Sequence, residues 1–224
     1  MRTRSFASLA ACTLTLAASF LPAKEARAAD TDRSKGWQTA TTITMAAGVG
    51  TSLFMPRVYY SDSGNQEIAI GWKSRWHATV LAPVAVNVGL TLLNEFVLKD
   101  KLKSFRPGCD ETIQGTGRCQ DYGSFSSFAF LSLASLGQTG ATFFVDTFKW
   151  SDGRVNGGSI LGNLVLPLAL SAVTVIGRSD GNWESNGQLV ASGAAGLAIG
   201  IATGLLYSIW QKPECGYTST VLCW

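Results

Sequence analysis

Residues 78–107 read ATVLAPVAVNVGLTLLNEFVLKDKLKSFRP. From position 78 to 98 the only charged residue is Glu95, and a helix of that length covers the ~30 Å hydrocarbon core of a bilayer. Charge then returns at once, with Lys99, Asp100, Lys101, Lys103 and Arg106 within eight positions. An apolar run closed by a basic cluster reads as a membrane-crossing helix that surfaces at Lys99. Pro83 lies inside the run; a membrane helix tolerates it because neighbouring helices satisfy the freed carbonyl.

Four further runs of the same kind surround this one, at 38–55, 128–148, 159–177 and 189–210. Inside the five runs the only charged residues are Glu95 and Asp146, and Pro167 is the second internal proline. Trp37, Trp76, Trp150, Trp183 and Trp210 fall at or near run ends, where an amphipathic ring sits at the headgroup level. The expected fold is therefore an all-α bundle of about five mature helices, six with the N-terminal segment, in the membrane. In the last run Ser192, Gly196, Gly200 and Gly204 recur every four residues, a small-residue face that lets another backbone approach closely. Packing within the chain is the simpler use of that face; a homodimer through Gly196, Gly200 and Gly204 is the alternative.

Residues 1–28 begin with Arg2 and Arg4, continue through an apolar stretch from Phe6 to Leu21 and end on Ala26-Arg27-Ala28. This is a secretory signal pattern, the alternative being an uncleaved first helix, and residues 29–224 form a single domain. Composition sharpens once the leader is set aside. It carries four basic residues (Arg2, Arg4, Lys24, Arg27) and one acidic (Glu25), so the formal +3 of the whole chain becomes zero. No basic stripe favours nucleic acid. With 46% hydrophobic and 15% charged residues the chain is not disordered. A single histidine excludes a multi-histidine zinc site and any reaction that needs two imidazoles; no metal or other cofactor is expected.

Cys12 leaves with the leader, and the remaining four fall as Cys109 with Cys119 and Cys215 with Cys223, two short-range disulfide candidates in an exported protein. If the mature N-terminus is exported, loops 99–125 and 178–188 face the periplasm or exterior. Arg57, Lys73, Arg75, Lys149, Arg154 and Lys212 then lie on the cytoplasmic side of an inner membrane, as the positive-inside tendency requires. That scheme puts Cys215 and Cys223 in a reducing compartment, so either they are reduced or the last run does not cross.

Three clusters share the exported side. The first is Lys99, six residues, then Arg106-Pro107; the second is Ser124-Phe125-Ser126-Ser127-Phe128-Ala129; the third is Gly177-Arg178, followed by Glu184 and Gln188. Lys99 and Arg106 are about two helical turns apart, and with Arg178 they can converge on an anion. Ser127 and the amides of a helix start add neutral donors. Such a set suits a phosphate.

In order and spacing these clusters resemble the type 2 phosphatidic acid phosphatases and vanadium haloperoxidases. That family carries Lys-x6-Arg-Pro, Pro-Ser-Gly-His and Ser-Arg-x5-His-x3-Asp at the ends of a bundle of about six helices. The likeness extends over most of the chain after the leader. Lys99, Arg106, Pro107, Ser127 and Arg178 match; Ser126, Phe128 and Ala129 replace the proline, glycine and histidine of the second motif, and Gly177, Glu184 and Gln188 replace the serine, histidine and aspartate of the third. The resemblance implies that the phosphate-binding half is kept while the nucleophile, the acid and the orienting carboxylate are lost, leaving Ala129, Glu184 and Gln188 as degenerate positions. His77, at the far end of its helix roughly 30 Å away, replaces neither histidine. The expectation is a catalytically degenerate membrane protein that binds a phosphate or a phosphorylated lipid headgroup among membrane lipids. Two alternatives stand: an active lipid phosphate phosphatase with Glu184 or an activated water as nucleophile, and a purely structural bundle.

Overall fold

The computed structural model describes residues 34–54, 57–60, 66–69, 78–115, 119–120, 122–123 and 125–210. The leader, His77, Cys215 and Cys223 lie outside the described residues. Five long helices follow the five apolar runs. Helix α1 is Lys35–Phe54. Helix α2 runs from Ala78–Leu93 through a π-helical turn at Asn94–Leu98 into Lys99–Leu102, and α3 is Ser127–Lys149. Helix α4 passes from Gly157–Ile160 through a second π turn, Leu161–Val165, into Leu166–Asp180; α5 is Asn186–Trp210. Pro167 has no N–H to give the carbonyl of Asn163, four residues back, and the helix widens there.

Helices α2 to α5 are long and apolar enough to cross a membrane. Helix α1 has the length, 20 residues, but not the apolarity, because threonines crowd it. All five return their hydroxyl protons to the helix's own carbonyls, among them Thr41 to Trp37 at 2.8 Å, Thr42 to Gln38 at 2.8 Å and Thr44 to Ala40 at 3.0 Å. The connector after α1 holds a short antiparallel hairpin, β1 Arg57–Tyr60 with β2 Gln66–Ala69, in the register Arg57↔Ala69 to Tyr60↔Gln66.

Burial is inverted relative to a soluble bundle. Ile43, Leu92, Leu93, Phe96 and Leu161 face outward, whereas Thr41, Asn87, Ser132, Ser171, Thr174, Ser192 and Ser208 are buried. Hydroxyls and amides pair across the interior, Thr44 with Thr174 at 2.8 Å, Ser132 with Ser171 at 3.1 Å, Asn87 with Gln138 at 3.2 Å and Ser208 with Thr142 at 3.0 Å. Lipid tails are as apolar as leucine, so helices in a bilayer associate through small residues and such bonds rather than through an apolar core.

Helix α3 is the axis of the bundle, and its most extensive partner is α5. A Cβ at Gly196 would stand 2.2 Å from the Phe130 carbonyl oxygen, at Gly200 2.1 Å from that of Ala134, and at Gly204 2.7 Å from that of Gln138. Gly137 on α3 returns the contact, 2.6 Å from the Leu197 carbonyl oxygen. The two backbones touch along three turns. The small-residue face at Gly196, Gly200 and Gly204 is thus filled within the chain, by α3.

At the end remote from the motifs, Arg57 at the start of β1 forms a two-pronged ion pair with Asp146 of α3, its Nε 3.0 Å from each carboxylate oxygen. Both side chains are buried, which accounts for a carboxylate inside an apolar run. The indole N–H of Trp150 donates to the Ser208 carbonyl at 3.2 Å, closing α5 onto α3 beside that pair.

Candidate functional site

All three sequence clusters meet at the opposite end of the bundle. Lys103, at φ 44° and ψ 40°, ends α2 in a left-handed turn, and the chain folds back through Arg106 towards α5. The Cys109–Cys119 disulfide closes the loop that follows. Within it Asp110 accepts hydrogen bonds from the Thr112 hydroxyl at 2.6 Å, the Thr112 N–H at 3.0 Å and the Ile113 N–H at 3.2 Å. The Thr112 hydroxyl above all holds the Asp110 carboxyl below its usual range. Trp183 donates to the Ser34 carbonyl at 3.3 Å, bringing the start of α1 to the same end.

Two ion pairs organise the cluster. Arg178, in the last turn of α4, grips Glu184 with Nε to Oε2 at 2.9 Å and Nη2 to Oε1 at 2.7 Å, both side chains at most 3% exposed. Phe128 and Trp183 sandwich the guanidinium, with ring centroids 4.1 and 5.1 Å away. Ser126 donates to Glu184 Oε2 at 2.7 Å. The same Oγ accepts from the Ala129 N–H at 3.1 Å as the N-cap of α3, and the Ser126 N–H donates to Ser192 of α5 at 2.7 Å. Three donors therefore fix Glu184, and helices α3, α4 and α5 are tied at one point.

In the second pair Lys99 reaches both oxygens of Glu95, one helical turn earlier, at 2.6 Å. Ser127 and Arg106 both lie near enough to Glu95 to favour its charged form. Asn94 donates to Ser127 Oγ at 2.7 Å and to the Phe125 carbonyl at 2.9 Å. Arg106 is 9% exposed and donates through Nη1 to the Trp183 carbonyl at 3.1 Å, which links the second pair to the first.

The sequence-derived set thus converges, with three changes of role. Ser126, not Ser127, touches Glu184, while Ser127 serves the Lys99 pair. Ala129 is fully buried in an apolar cluster with Val175 and Leu189. Gln188 is a strap, not a spectator: its Nε2 donates to Ser104 Oγ at 3.1 Å and to the Phe105 carbonyl at 3.3 Å, and its Oε1 accepts from the Ser185 N–H at 3.0 Å. Gly123 makes room for it, since a Cβ there would meet Gln188 Nε2 at 2.5 Å and Arg106 Cγ at 3.1 Å. Sequence reading missed the role of Glu95, whose signal was its spacing of four from Lys99.

Chemically, three cations and two carboxylates stand together, with each carboxylate on a cation. Glu184 accepts two hydrogen bonds on Oε2 and one on Oε1. Among the described residues no three histidine, cysteine, aspartate or glutamate side chains group to hold a metal ion. No family model, no curated protein and no solved structure matches the chain.

Proposed function

We propose that this chain is a catalytically degenerate, lipid-phosphatase-like membrane protein that binds a phosphate-bearing headgroup and does not hydrolyse it. The observation that carries the reading is Glu184, at the position of the histidine nucleophile in the family the motifs resemble, locked between Arg178 and Ser126. A buried carboxylate gripped by a guanidinium is a counter-ion to that cation. Lys99, Arg106 and Ser127, grouped around the partly exposed Glu95, are the groups that meet the headgroup.

The motif end faces the exported side of an inner membrane. The Cys109–Cys119 disulfide supports that placement, because such a bond persists in an oxidising compartment. The test is binding: detergent-solubilised protein is expected to take up phosphatidic acid from mixed micelles in preference to phosphatidylcholine, and Lys99→Ala/Arg106→Ala to weaken this about tenfold. Equal uptake by wild type and variant, both with native melting, would refute the assignment.

A further inference from the structure

The two carboxylates in the cluster are not equivalent, and the difference assigns them different roles. Glu184 and Arg178 are 2% and 3% exposed, whereas Glu95 is 35% exposed and Lys99 13%. Glu184 joins separate helices, through Arg178 of α4 and Ser126 at the start of α3. The Glu95–Lys99 pair lies within α2, on its π turn, so opening it unties no helix from another by that bond.

The surroundings of Glu95 are those a phosphate oxygen would choose: the Lys99 ammonium, the Ser127 hydroxyl and the field of Arg106. Beside them is an acceptor that the carboxylate cannot serve. Asn94 is 6% exposed, and although its Nδ2 is bonded, its Oδ1 is buried with no hydrogen-bond partner among the described residues. An ionised carboxylate has no proton to offer that oxygen; a phosphomonoester in its monoanionic form has one P–O–H.

We infer that Glu95 is a displaceable internal counter-ion, a plug that a phosphomonoester replaces against Lys99, Arg106, Ser127 and Asn94 while Glu184 stays in place. This rests on the binding function proposed above and deepens it. Displacement is a simple exchange of anions: the Glu95 side chain turns outward to water, a phosphoryl group enters, and no bond is made or broken. The plug sets the affinity. The phosphodiester of phosphatidylglycerol carries the same single charge as the monoanionic phosphomonoester but has no P–O–H for Asn94, so it gains too little to displace the carboxylate.

The experiment compares Glu95→Gln and Glu184→Gln in full-length, detergent-solubilised protein by calorimetric titration. Inorganic phosphate and phosphatidic acid are the probes, with phosphatidylglycerol as the diester control and thermal melting read on every sample. Glu95→Gln is expected to raise affinity for a phosphomonoester about tenfold with native melting, and Glu95→Gln/Lys99→Ala to lose that gain. Glu184→Gln is expected to lower the melting temperature without raising affinity. A gain for both probes identifies the phosphoryl group itself as the ligand, and a gain for phosphatidic acid alone identifies a lipid headgroup; either supports the plug. Wild-type binding that Glu95→Gln leaves unchanged, a larger gain in Glu184→Gln, or an equal gain for phosphatidylglycerol overturns it. Folded wild type and Glu95→Gln that bind neither probe would defeat the binding function itself.

Discussion

Gly200→Leu is expected to yield no folded bundle in detergent. A Cβ at this position would stand 2.1 Å from the Ala134 carbonyl oxygen and 2.8 Å from the Ala134 carbonyl carbon and Cα. These are backbone atoms of the central helix, so no side-chain rotation relieves the clash. Helices α3 and α5 would have to separate along their whole contact, breaking the Ser126–Ser192 and Thr142–Ser208 bonds as well. The cost exceeds about 4 kcal/mol, the range reserved for gross overpacking. Gly89→Leu is the control, since nothing lies within 4 Å of a Cβ there and the residue is exposed. Size-exclusion chromatography after graded heating separates the two: Gly89→Leu elutes as wild type, whereas Gly200→Leu is aggregated throughout.

Glu184→Ala is expected to cost about 3–5 kcal/mol, because it leaves the Arg178 guanidinium buried without its carboxylate. Ser126 loses its acceptor in the same step. Pairing the change with Arg178→Met is expected to restore much of the loss, since with both charges removed no buried ion is left unpaired. Thermal melting of the single and double variants reads this directly. Recovery in the double variant marks Glu184 as a counter-ion; equal damage in both would mean that Arg178 has other essential partners.

Much of the fold was legible because apolar runs are long-range-independent signals. The runs at 128–148 and 159–177 became Ser127–Lys149 and Gly157–Asp180, each extended by a few residues where Ser126 and Asn156 cap the helix start. The hairpin after α1 escaped because strands of four residues carry too little periodicity. Asp146 was visible as an anomaly, but its partner Arg57 stands 89 residues earlier, a distance at which sequence order carries no pairing information. The glycine face was legible; that α3 fills it was not, since an interface has two sides and the motif describes one.

The candidate site was legible in its cations and in Glu184, and not in Glu95. Lys99, Arg106 and Arg178 were found by spacing, and they do converge. The choice between Ser126 and Ser127 was beyond sequence, because adjacent residues at a helix start point about 100° apart. Which of the two meets Glu184 is decided by the N-cap bond from Ala129 to Ser126. Glu95 was counted as a charge in an apolar run, and its function as the counter-ion of Lys99 emerges only when Ser127, 32 positions later, is placed against it.

The central claim is that this cluster holds an anion and performs no hydrolysis. Its most direct test is phosphate release by the purified, detergent-solubilised protein from phosphatidic acid and from an aryl phosphate. The prediction is release no greater than that of the detergent blank, in wild type and in Glu184→Gln alike. Reproducible turnover by wild type that disappears in Lys99→Ala and Arg178→Ala would contradict it.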